Sequence, residues 1–193
     1  GLIWKQKVAK GQPKFTASLS YVADAGEAEN SDPTAGGMFT ANSRANTTAQ
    51  IGYGSKKFGV AFGYRYGQCK AGFGTGFFKE QSCVKGTDVY SNNFALNGFW
   101  KPSETGLIPS ISAGYGFSTL EGSDVEELAS WMVGFQWDKL MKTSHKLAIG
   151  FGAPQYVVSQ KGDDPDAPDL AFEASVKLKV CLLYTSDAAD DFT

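Results

Sequence analysis

The chain of 193 residues carries 23 Gly, 14 Phe, 8 Tyr and 4 Trp but a single His, with a formal net charge of −2. The absence of a basic excess argues against a nucleic-acid partner, and no run approaches the ~18 apolar residues of a membrane-crossing helix. Average hydropathy is mildly polar, which fits a water-soluble protein and equally a transmembrane barrel, where every second strand residue faces a wet lumen.

Taken in chain order, the sequence alternates with period two. Residues 2–9 open weakly, with Leu2, Trp4 and Val8 set against Lys5 and Lys7. Over residues 14–24, Phe15, Ala17, Leu19, Tyr21 and Ala23 alternate with Lys14, Thr16, Ser18 and Ser20, and Val22 breaks the pattern. Thr47, Ala49, Ile51 and Tyr53 then alternate with Thr48, Gln50 and Gly52. From Lys57, the apolar phase is Phe58, Val60, Phe62, Tyr64 and Tyr66, against Gly59, Ala61, Gly63 and Arg65. Next come Phe94, Leu96, Gly98 and Trp100 against Asn93, Ala95 and Asn97, then Ile111, Ala113, Tyr115 and Phe117 against Ser110, Ser112, Gly114 and Gly116. Trp131, Val133, Phe135 and Trp137 face Ser130, Gly134, Gln136 and Asp138. Leu147, Ile149 and Phe151 alternate with Lys146, Ala148 and Gly150. The last run sets Leu170, Phe172, Ala174, Val176 and Leu178 against Asp169, Glu173, Ser175, Lys177 and Lys179. This is strand periodicity, and no segment offers a comparable helical pattern.

Three features favour a transmembrane barrel over a soluble sandwich. The strands run ~9–11 residues, enough to cross a bilayer at a tilt, where soluble strands more often run about 5–6. The connections alternate short and long: 10–13, 55–56, 102–107 and 140–144 are short, and 25–45, 69–90, 119–128 and 155–168 are long, as expected of short turns on one side of a membrane and long loops on the other. The aromatics gather at the two strand ends. Phe15, Tyr53, Phe58, Trp100 and Trp137 lie near the short turns; Tyr21, Tyr64, Tyr66, Tyr115, Phe117 and Trp131 lie nearer the long loops, as two interfacial girdles would.

Nothing in the sequence assembles a catalytic set, so the chain reads as a non-enzyme without a cofactor or resident metal. Ser144 and His145 share a short turn without an orienting partner in sequence. The acidic run Asp163, Asp164, Asp166 and Asp169 lacks the glycine of a calcium loop. The glycines of 71–78 do not sit between a strand and a helix, as a dinucleotide fingerprint would require. The polar phase is more informative. Lys14, Gln50, Arg65, Asn93, Asn97, Ser112, Gln136, Asp138, Lys146, Glu173 and Lys177 all fall on it and are the candidate pore-lining residues. With Lys57 and Lys179 they make a net basic lumen below loops rich in Asp and Glu. Cys69 and Cys83 bracket a Gly- and Phe-rich loop and are a candidate disulfide that would pin it.

Several runs resemble cyanobacterial outer-membrane porins of the iron-uptake and carbohydrate-selective (OprB-type) family: 15–23 (FTASLSYVA), 36–39 (GGMF), 49–53 (AQIGY), 100–114 (WKPSETGLIPSISAG) and 131–138 (WMVGFQWD). The resemblance spans nearly all of residues 1–180. It implies a barrel of about sixteen strands, of which eight or nine are expected here. It also implies a homotrimer in the outer membrane passing small hydrophilic solutes, namely sugars and inorganic ions including iron. Residues 181–193 depart from the pattern, and 181–190 (CLLYTSDAAD) resembles translated sequencing-adapter DNA. The expectation is therefore a partial porin barrel over 1–180 and a non-native tail over 181–193. The chain lacks an initiator Met and a signal peptide and is expected to begin inside a longer protein. A soluble or surface all-β carbohydrate-binding module is the alternative.

Overall fold

The computed structural model describes residues 1–23, 39, 45–68, 73–74, 79–80, 90–102, 107–138, 146–162 and 164–177. The strands in chain order are β1 (Leu2–Lys5), β2 (Lys14–Ala23), β3 (Ala45–Gly54), β4 (Phe58–Gly67), β5 (Phe73–Gly74), β6 (Lys79–Glu80), β7 (Tyr90–Trp100), β8 (Ser110–Glu121), β9 (Val125–Trp137), β10 (Lys146–Gln160) and β11 (Ala171–Lys177). Among the described residues there is no helix. Nine strands form one antiparallel sheet in the order β1-β2-β3-β4-β7-β8-β9-β10-β11, and β5 and β6 pair separately. Each strand of the large sheet lies beside its neighbour in sequence, apart from the small β5–β6 pair in the β4–β7 connection. The sheet does not close: β1 and β11 are its two edges.

Because side chains alternate across a strand, the register decides which residues share a face. It keeps the two phases of the sequence apart. One row of partners runs Phe15–Tyr53–Val60–Gly98–Ala113–Val133–Phe151–Phe172. The next runs Ala17–Ile51–Phe62–Leu96–Tyr115–Trp131–Ala153. On the other face, Ser18–Gln50–Gly63–Ala95–Gly116–Ser130 is representative. A slip of one residue at any ladder would mix the two sets.

No second layer covers the apolar face among the described residues. Ile51 is 53% exposed and Leu96 52%, although they sit in the middle of the sheet. The buried hydrophobic residues are few: Ala45, Leu120, Leu128, Ala129 and Ala153. Leu120 and Leu128 form a small cluster with Val125 and Val157, near the far ends of β8, β9 and β10.

Those far ends depart from the sequence-based expectation. Residues 119–128 were expected as a longer loop, but Thr119 pairs with Glu127 and Tyr90 with Glu121. The turn is only 122–124, with Gly122 at φ 81, a value glycine tolerates. Residues 155–168 were likewise expected as a long loop, yet β10 continues to Gln160. Here the alternation fails for two reasons. Glu127 and Ser159 occupy what would be apolar positions, and the ladder shifts register between Ala153 and Tyr156, where Pro154 interrupts it. A bulge adds a residue to one strand and inverts the phase beyond it, and proline lacks the N–H a regular ladder needs. The weak first run of 2–9 contributes only the four residues of β1.

Candidate functional site

The eleven residues predicted to line a pore all belong to the polar phase that the register keeps on one face. Near the long-loop end they form a hydrogen-bonded ladder across four strands. Arg65 Nε donates to Asn46 Oδ1 at 2.6 Å. Asn93 Nδ2 donates to the Arg65 carbonyl at 3.0 Å and to Ser91 Oγ at 3.1 Å. Ser118 Oγ donates to Asn93 Oδ1 at 2.7 Å. Asn46, Ser91 and Ser118 were not singled out in the sequence, because Ser and Asn are too common on a wet phase to stand out.

At the short-turn end Asp138 gathers three donors. Lys101 Nζ lies 2.7 Å from Oδ2, Lys146 Nζ 3.0 Å from Oδ1 and Gln136 Nε2 2.7 Å from Oδ1. These hydrogen bonds, Lys101's first, hold the Asp138 carboxyl well below the usual carboxylate range. Sequence reading placed Gln136, Asp138 and Lys146 here but missed Lys101. The signal was available: Lys101 follows Trp100 in the same alternation that puts Asn97 on the polar phase.

Between these ends the polar face is nearly flat, because glycines recur on it and their cross-strand partners lean over them. A Cβ on Gly114 would meet Asn97 Oδ1 at 2.7 Å, one on Gly116 would meet Ser130 Oγ at 2.6 Å, and one on Gly134 would meet Ser112 Oγ at 2.8 Å. Short polar side chains therefore lie along the sheet instead of standing away from it, which keeps this face low. A shallow hollow of about 630 Å³ lies over β8–β10, with Asn97, Gly114, Gly116, Ser130, Met132 and Glu173 among its lining residues.

On the opposite face the predicted aromatics form two lines. In the lower line Phe15 and Tyr53 have ring centroids 4.5 Å apart, and Tyr53 and Phe58 are 6.1 Å apart. Phe58 pairs with Trp100, and Trp137 Nε1 donates to the Leu107 carbonyl at 2.9 Å. In the upper region Tyr64 lies 5.2 Å from Phe94 and donates its hydroxyl to Asn92 Oδ1 at 2.7 Å. Tyr66 stacks on Tyr90 at 6.2 Å. The two lines run obliquely to the strands. The residue level with Phe15 on β9 is Val133, but the lower line reaches β9 at Trp137, four positions along. The residue level with Tyr21 on β9 is Glu127, but Tyr115 and its partner Trp131 lie lower, Trp131 again four positions along and in the same direction.

Cys69 and Cys83, Ser144 and His145, and the tail 181–193 lie outside the described residues. Among the described residues no group of three or more His, Cys, Asp or Glu converges to hold a metal ion. Compared with protein-family models, curated proteins and solved structures, the chain matches none.

Proposed function

We propose that this sheet is an arc of the wall of an outer-membrane β-barrel porin, a passive channel for small hydrophilic solutes. The observation that carries the reading is the parallel displacement of the two aromatic lines. Four residues along a strand are about 14 Å, and the five strand spacings from β2 to β9 are about 24 Å, so the strands lean about 30° from the perpendicular to those lines. Transmembrane barrels tilt their strands by about 35–45° between interfacial girdles. A sheet that packs one face on a soluble core has no reason to slant two aromatic lines alike, each carried by five of the six strands from β2 to β9.

The energetics agree with that reading. Each large apolar side chain left in water forgoes about 1.5–3 kcal/mol relative to burial. More than a dozen such residues on one face, from Phe15 to Phe172, would forgo tens of kcal/mol in water. Lipid removes that penalty, and the opposite face supplies a wetted wall of Gly, Ser, Thr, Asn and Gln.

The edge strands β1 and β11 would leave backbone groups unpaired in a bilayer, which is costly. Closure therefore calls for further strands. The porin resemblance supplies the expectation of about sixteen, a trimeric assembly, and sugars and inorganic ions including iron as solutes. The test is reconstitution of the protein that carries these strands in a planar bilayer. Discrete conductance steps are expected, and their absence from correctly inserted protein would refute a porin.

A further inference from the structure

The charges of the described residues sort by height on the sheet rather than by strand. At the short-turn end Lys14, Lys101, Lys146 and Lys177 stand on the polar phase, and Lys56 and Lys57 occupy the β3–β4 turn. Asp138 lies among them and is already engaged by Lys101 and Lys146. At the opposite end, Glu121, Asp124, Glu126, Glu127, Asp164 and Asp166 surround the ends of β8, β9 and β10, with Lys161 among them. The Lys161 backbone N–H and Nζ are bonded to the Asp124 and Ser123 carbonyls, which keeps this cation within the acidic turn. The middle rows of the polar face are mostly Gly, Ser, Thr, Asn and Gln, with Lys5 and Glu173 as opposite charges, and Arg65 stands above them, its guanidinium bonded to Asn46 at the long-loop end.

The two ends are about ten strand residues apart, roughly 34 Å. The Debye length is about 10 Å at 0.1 M salt and about 3 Å at 1 M. Each end therefore sets its own counter-ion population at moderate salt: anions gather at the lysines and cations at the carboxylates.

We infer that a channel walled by this sheet is bipolar, preferring anions at its short-turn end and cations at its long-loop end, and that it rectifies ionic current. The inference rests on the channel reading above. When the long-loop side is positive, cations enter from the acidic end while anions enter from the basic end. Both accumulate in the neutral middle, and conductance rises. With the opposite polarity both species are drawn out through the ends that concentrate them, the middle is depleted, and conductance falls.

The test is the current–voltage relation of the reconstituted protein, inserted from one side so that pores share an orientation. In about 0.1 M KCl the current should be about twofold larger with the long-loop side positive, and the ratio should approach one in about 1 M KCl. The salt dependence needs no variant. Lys14→Gln with Lys177→Gln, neither of which forms an ion pair among the described residues, should lower the ratio at about 0.1 M. Open pores with symmetric currents at that salt, or an asymmetry that persists at about 1 M, overturn the inference and leave the porin reading standing. Absence of any conductance overturns both.

Discussion

The ring of Phe99 lies over Gly59 of the neighbouring strand, so close that a Cβ on Gly59 would meet its Cε1 at 2.5 Å. The two are direct ladder partners. They sit on the polar face, where a phenyl ring would otherwise project into water. Laid flat on a glycine, the ring covers backbone that has no side chain of its own, a pairing known to strengthen sheets at glycines. Phe99 is 47% exposed, so the cover is one-sided.

Phe99→Ala should cost about 0.5–1 kcal/mol in Gly59 protein and less in a Gly59→Ala background, where the added methyl has already displaced the ring. Urea midpoints of the four proteins in micelles measure the coupling. Additive effects would show that the ring's position over Gly59 contributes nothing.

Phe62 on β4 and Val133 on β9 lie between the two aromatic lines on the apolar face. Phe62→Arg and Val133→Arg should each cost about 2–4 kcal/mol if that face meets the bilayer midplane. Gln50→Arg, on the polar face beside Gly63, should assemble normally and change conductance. Heat-modifiable mobility on gels reads assembly for all three. Equal damage from Gln50→Arg would reverse the assignment of the faces.

Asp138 gives the short-turn end a pH dependence. Its carboxyl is held below its ordinary 3.8 by hydrogen bonds from Lys101, Gln136 and Lys146. A carboxyl depressed on folding contributes stability that is fully present above its ordinary value and is lost as pH falls through the lower folded one. The difference in urea midpoint between wild type and Asp138→Asn should therefore be full at neutral pH and shrink below about pH 4. A gap that does not change with pH would assign the effect of the substitution to packing rather than charge.

Leu128 is 0% exposed although it stands on the polar phase, because the cluster with Leu120, Val125 and Val157 forms where β8, β9 and β10 outrun the apolar band. Leu128→Ala should cost about 2–5 kcal/mol locally. The expected consequence is cleavage of the 122–124 turn by an externally added protease, with the heat-modifiable fold of the rest intact. Loss of the whole fold would mean that the extension is part of the main body.

The sequence alone determined that the chain is all-β, where most of the strands run, and which residues share a face. The side-chain period of a strand is two, and Phe15 to Trp137 keep that phase through β2, β3, β4, β7, β8 and β9. Three things were decided only by the tertiary structure. The β8–β10 extension was hidden because a strand with Glu127 and Ser159 in apolar positions loses its alternation, and the Pro154 bulge inverts the phase. The pairing of Lys101 with Asp138 joins residues 37 apart in sequence, and only the register across β7, β8 and β9 brings them together. The oblique course of the aromatic lines belongs to no single strand. It emerges from summing small offsets over five ladders, because each hydrogen-bonded register fixes a strand relative to its neighbour alone.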